Sequence, residues 1–135
     1  MSSPCTFGDG ALASERLAIL AHRLAPYTDA LFDTLDLTGT RSVADLGCGP
    51  GHTTRHLARR FPGARVVGLE RSPAYLAEAR ARAAGIDGIE YIGADVSRRF
   101  TSIRFDIVYA RFLVAHLPER RSATRCPAAF ARVSA

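Results

Sequence analysis

The stretch Asp45-Leu46-Gly47-Cys48-Gly49-Pro50-Gly51 concentrates the chemistry of this sequence. Glycines at three alternate positions let the backbone take positive φ and let a ligand lie directly against the main chain. An acid two residues before the first glycine would point a carboxylate into the same space, which suits a ligand with an ammonium group better than a pyrophosphate. The spacing is not the G-x-G-x-x-G of a dinucleotide fingerprint. His52 and His56 follow at i, i+4, which is half of a metal motif. Thr53 stands where H-E-x-x-H requires Glu, no third ligand is evident, and no metal site is expected. Cys48 fills a loop position that needs a small residue, and no His is placed beside it to activate a thiolate. His116 is a candidate general base, with capping or packing in His116-Leu117-Pro118 as its alternative.

These residues need a scaffold, and the surrounding pattern supplies one. Residues 42–46 form a short apolar run bounded by turn residues, a buried strand that feeds the glycine loop. Beyond the loop, Thr54, Leu57, Ala58 and Phe61 recur at helical spacing, so the loop delivers its amides to a helix N-terminus. Phe61-Pro62-Gly63 stops that helix, and residues 65–69 give a second strand ending on Glu70. A right-handed crossover puts this strand beside the first and brings Glu70 to the same loop. Ser72-Pro73 caps a helix over 73–84 closed by Gly85; residues 89–94 alternate as a third strand ending on Asp95, and 105–110 form a fourth. The expected fold is α/β: a Rossmann-like parallel sheet in the order 3-2-1-4 with helices on both faces and its switch point over the glycine loop. Two N-terminal helices precede it, one over 11–25 and, beyond the break at Pro26, another from Tyr27 to near Leu37.

The motif from Asp45 to Gly51 resembles the first motif of class I S-adenosylmethionine-dependent methyltransferases, and Phe105-Asp106-Ile107-Val108 resembles their fourth. That resemblance implies S-adenosylmethionine as cofactor, held by Asp45 and the loop residues Gly47, Cys48, Gly49 and Gly51. It gives Glu70, followed by Arg71, the ribose hydroxyls, and gives Asp95 and Val96 the adenine. Glu15-Arg16-Leu17 is similar to a helix start in such proteins, where Arg16 would meet the cofactor carboxylate; a solvated helix face is the alternative. Tyr109, Ala110 and Arg111 fall at the active-site end of the fourth strand. Ala110 lacks the polar side chain that amino-methylating relatives place there, so nothing assigns DNA or protein amide methylation; the resemblance implies methyl transfer to a small-molecule acceptor. A cofactor-binding or inactive remnant, and an NAD-dependent oxidoreductase, are the alternative readings.

A chain of 135 residues is one domain with a single core, and 47% apolar with 23% charged residues is a globular composition. No apolar run approaches a membrane span and no signal pattern opens the chain, so a cytoplasmic location is expected. Cys5, Cys48 and Cys126 suggest neither a disulfide frame nor zinc. The net charge of +5 lies entirely in the tail: residues 98–135 carry eight Arg against two acids, while the body carries ten Arg against eleven. No basic stripe with interleaved aromatics crosses the body, and nucleic acid is not an expected partner. The organisation expected is helices covering the cofactor site over 1–40, a cofactor-binding core over 41–118, and an incomplete Arg-rich part over 119–135. The tail shows no fifth-strand motif, which suggests truncation and leaves the fourth strand as an exposed edge open to self-association.

Overall fold

The computed structural model describes residues 10–96 and 104–111. Chain order is α1 (Ala11–Asp33), β1 (Ser42–Leu46), α2 (His52–Arg60), β2 (Arg65–Glu70), α3 (Pro73–Arg82), β3 (Ile89–Gly93) and β4 (Ile107–Ala110). The strands form one parallel sheet in the order β3-β2-β1-β4, as the crossover argument requires. In register, Asp45 is level with Gly68 on one side and Tyr109 on the other, and Leu46 with Leu69 and Ala110. Glu70 is level with Gly93. The carboxyl ends of all four strands therefore share one rim, with the exit of β1 at its centre.

Residues alternate between the faces of a strand, and the packing follows that alternation. Val43, Val66 and Ile107 meet Phe32 of α1 and Leu57 of α2 on one face, with Phe61 beside them. Tyr91 shares that face through its register with Gly68 and meets Leu76, Ala79 and Ala83 of α3. Val43, Leu57, Val66 and Val67 are fully buried, and each such side chain contributes about 1.5–3 kcal/mol. All three described helices thus cover one face. The opposite face carries Ala44, Val67 and Leu69, with Leu46, Ile92 and Val108 beside them. A helical layer on that side would fall on residues outside those described, as do the tail and His116.

One expectation is corrected at the N-terminus. Residues 11–33 form a single helix that runs through Pro26 instead of two helices separated by it. Proline removes one backbone donor and crowds the preceding turn, but tertiary anchors on both sides hold the helix together. Ser14 on the near side and Thr28 and Phe32 on the far side are buried. Thr28 Oγ1 donates to the Leu24 carbonyl at 3.2 Å and lies 3.1 Å from the Tyr109 hydroxyl. Phe32 stacks edge-on to Phe61, with 5.3 Å between ring centroids.

The fourth strand is shorter than its sequence pattern. Asp106 precedes β4 and ties its start to β1: Oδ2 accepts from the Arg41 N–H, the Ser42 N–H and the Ser42 hydroxyl, each at 2.9 Å. These bonds, that of the Arg41 amide first, hold its carboxyl below the usual range. At α3, Ser72 accepts from the Tyr75 N–H at 3.3 Å ahead of Pro73, as a capped start predicts.

Candidate functional site

The loop leaving β1 turns through three left-handed glycines, Gly47, Gly49 and Gly51, at φ +67°, +54° and +81°. It is fastened to β2 along its length. The Gly47 and Cys48 N–H groups both donate to the Leu69 carbonyl, at 2.8 and 3.0 Å. One step on, the Gly49 N–H donates to Glu70 Oε2 at 3.0 Å, while Glu70 Oε1 accepts from the Arg71 and Ser72 N–H groups at 2.8 and 2.9 Å. Glu70 therefore reaches the loop, as its place at the end of β2 predicts.

Asp45 lies under the same loop, 2% exposed, with Thr54 Oγ1 donating to its Oδ2 at 2.7 Å. Burial raises its pKa to about 7, against the lowering effects of the Thr54 bond and the Arg111 charge, and Glu70 adds to the rise. An acid poised near neutrality gains most from a cationic ligand. Burial, then the charges of Asp45 and Glu70, push the Cys48 thiol far above its ordinary range. Cys48 is packing in the loop wall and no nucleophile at neutral pH.

A cleft of about 70 Å³ runs between this loop and α1, walled by Leu17 and Leu20 on the helix and reaching Asp45, Thr53 and Arg111. Arg111 Nη2 donates to Thr53 Oγ1 at 2.8 Å, tying the end of β4 to the start of α2. That helix starts on Gly51 with no side-chain cap, so its first amides remain available at the cleft. The structure thus assembles Asp45, Gly47, Cys48, Gly49 and Arg111 around one space, with Glu70 bonded to the loop through the Gly49 amide. Asp95 and Val96 follow β3 on the adjoining rim, where the Ala94 N–H donates to the Glu70 carbonyl at 3.0 Å; Val96 packs beside Ala44, Val67 and Leu69. Ala110 and Arg71 are exposed at their strand ends, and Arg16 is exposed on α1 one residue before Leu17.

Gly51 corrects the reading that every loop glycine makes room for a ligand. A Cβ there would collide with the Tyr91 hydroxyl and come within 3.0 Å of Ala79 Cβ, so it makes room for the core beneath. At Gly49 an added Cβ would face Leu17 Cδ1 at 3.7 Å. Leu17, Thr54 and Tyr91 are the site residues that sequence reasoning missed. Of these, Tyr91 had a signal in its register opposite Gly68, where a missing side chain leaves room for a ring.

The two histidines turn to different partners. His52 Nε2 is 2.8 Å from Arg82 Nη1 and its Nδ1 3.2 Å from Arg55 Nη2. Burial, then Arg82 and Arg55, lower its pKa. His56 Nε2 meets Asp29 Oδ1 of α1 at 2.9 Å.

Comparisons with known proteins agree with this geometry. The family described as a methyltransferase domain matches residues 43–134, past Pro118 and through the tail in which no motif is legible. A trans-aconitate 2-methyltransferase of Methylobacterium nodulans is 36% identical over 110 residues, 82% of this chain and 41% of that protein. The enzyme of the same name in Mycobacterium tuberculosis strain H37Ra is 49% identical over 71 residues, 53% of this chain and 26% of that one. The solved N-terminal domain of EvdMO1 with SAH bound is 30% identical, with a TM-score of 0.59 over 68% of this chain and 39% of that one. The chain spans about two fifths of the length of the curated relative from Methylobacterium. Among the described residues no helix is long and apolar enough to cross a membrane.

Proposed function

The chain belongs to the methyltransferase domain family, and we propose that it binds S-adenosylmethionine along the 47–51 loop and directs its methyl group to a small-molecule acceptor. The convergence of two carboxylates on one glycine loop carries this reading, since Glu70 is bonded to the Gly49 amide and Asp45 is buried beneath it. That donor set fits the cofactor. A carboxylate has about four lone-pair sites, and three of those on Glu70 are taken by the Gly49, Arg71 and Ser72 amides, so Oε2 can accept one ribose hydroxyl without giving up any of these bonds. Asp45 offers a buried negative charge to the ammonium of the methionine part. Asp95 and Val96 are assigned to the adenine and Arg16 to the cofactor carboxylate. When bound, S-adenosylmethionine supplies an electrophilic methyl on a sulfonium, and the chain's task is to orient it and exclude water.

Arg111 suits a carboxylic acid acceptor, because its guanidinium lies in the cleft beside the loop and can pair with a carboxylate. The name trans-aconitate 2-methyltransferase of the relatives supports the same acceptor class. An ionised carboxylate is already a nucleophile and needs no base, so His116 is not required for this chemistry. A second reading is binding of the cofactor without turnover. A labelled-methyl assay with trans-aconitate and other small carboxylic acids separates the two. Labelled ester formed by the 135-residue chain supports transfer; cofactor binding with no labelled product assigns it to binding alone.

A further inference from the structure

Tyr91 lies beneath the glycine loop, on the side away from the cleft, and nothing in the chemistry above uses it. Its ring crosses the bare backbone of Gly68: a Cβ there would lie 2.7 Å from Tyr91 Cδ1 and Cε1 and 2.8 Å from Cys48 Sγ. The residue is 8% exposed, and its hydroxyl, lodged against Gly51, is buried without a hydrogen-bond partner in this structure. A buried hydroxyl with no partner is costly and calls for an explanation. Thr54 is the group it faces. The Thr54 hydroxyl has one proton, already given to Asp45 Oδ2 at 2.7 Å, and still has lone pairs with which to accept.

We propose that Tyr91 is a positioning residue for the cofactor acid: its hydroxyl donates to Thr54 Oγ1 when Asp45 is ionised, and Thr54 donates in turn to Asp45 Oδ2. This deepens the function proposed above and rests on it only for the role of Asp45. A donor chain ending on a carboxylate favours its charged form. It also polarises Thr54 from a side that solvent and acceptor do not reach. The other groups facing this chain are Arg111 from the end of β4, Glu70 from the end of β2, Cys48 in the loop and Arg55 on α2. Cys48 also reaches the Thr54 hydroxyl as a weak thiol donor, which still leaves a lone pair for Tyr91.

The test is the titration midpoint of the Asp45 carboxyl, followed by carbon-detected NMR in the full chain with Asp45→Asn to assign the signal. Tyr91→Phe keeps the ring over Gly68 and removes only the hydroxyl. It should raise the midpoint by about half a pH unit or more, a factor of roughly three in proton affinity. Thr54→Val should raise it as well, Tyr91→Phe should add nothing in that background, and Thr54→Ser should restore the response. S-adenosylhomocysteine should bind the Tyr91→Phe chain severalfold more weakly than wild type at pH 6 and equally at pH 9. An unmoved midpoint in Tyr91→Phe, or an equal shift with Thr54→Val present, overturns the proposal. Failure of the wild-type chain to bind S-adenosylhomocysteine counts against the functional reading instead, and the carboxyl titration still decides the role of Tyr91.

Discussion

The Gly49 N–H points at Glu70 Oε2 across 3.0 Å, and this bond joins the middle of the loop after β1 to the end of the neighbouring strand. It fixes the distance between the two parts of the rim proposed to hold the nucleoside. Because Oε1 is held by the Arg71 and Ser72 amides, the carboxylate cannot swing away without giving up three hydrogen bonds. A ligand arriving at the loop meets an acid already oriented, which reduces the ordering cost of binding.

Replacing Glu70 by Ala should therefore weaken S-adenosylmethionine binding at least tenfold. Losing hydrogen bonds to a charged acceptor costs on the order of 1.5–3 kcal/mol. Glu78 is an unsuitable control, because it accepts from Ser14 of α1, the helix that walls the cleft. Glu90, in a half-exposed pair with Arg65 at the far end of the sheet, is the proper comparison. Calorimetric affinities for Glu70→Ala and Glu90→Ala should differ by that factor, and equal affinities would remove Glu70 from the site.

Stability of the ligand-free chain should carry the signature of Asp45. Its folded pKa of about 7 lies above the unfolded value near 3.8, so between those values the folded state holds a proton that the unfolded state has lost. The sign follows: the contribution of Asp45 is most favourable below about pH 4 and declines until about pH 7. A shift of this size corresponds to a few kcal/mol, at about 1.4 kcal/mol per unit. Urea unfolding of wild type and Asp45→Asn across this range should give a difference that grows with pH in favour of Asn and then levels. A cationic ligand favours the ionised acid, so S-adenosylhomocysteine affinity should rise with pH to the same point. A pH-independent difference between the two chains would contradict this account of Asp45.

Two glycines with nearly the same φ offer a matched pair. Gly51 and Gly63 have φ of +81° and +82°, yet a Cβ at Gly63 meets open space while one at Gly51 meets Tyr91 and Ala79. Both substitutions to Ala incur the left-handed backbone cost of roughly 1–2 kcal/mol. Gly51→Ala should be worse by about a further 1–3 kcal/mol from overpacking. Thermal or urea unfolding reads the difference, and equal destabilisation would place Tyr91 elsewhere.

What could be read from the sequence is what depends on local pattern. The β1 run, the glycine spacing, the Ser72-Pro73 cap and the right-handed crossover lead to the sheet order and to Glu70 at the loop. Contacts between residues distant in the chain could not be read. Pro26 signals a break, and only the burial of Thr28 and Phe32 against the sheet explains why α1 continues through it. Gly51 carries the same letter as Gly49, but what lies next to its missing side chain is set by a tyrosine forty residues later. Asp106 reads as a charge within a strand, although its bonds to Arg41 and Ser42 place it ahead of one.

Calorimetric titration of the 135-residue chain with S-adenosylhomocysteine, alongside NADH, tests the central claim most directly. The Asp45, glycine-loop and Glu70 arrangement predicts one saturable S-adenosylhomocysteine site per chain, its affinity abolished or reduced at least tenfold by Glu70→Ala, and no heat with NADH. Binding of NADH with none of S-adenosylhomocysteine, or S-adenosylhomocysteine binding that ignores both Glu70→Ala and Asp45→Asn, would contradict it.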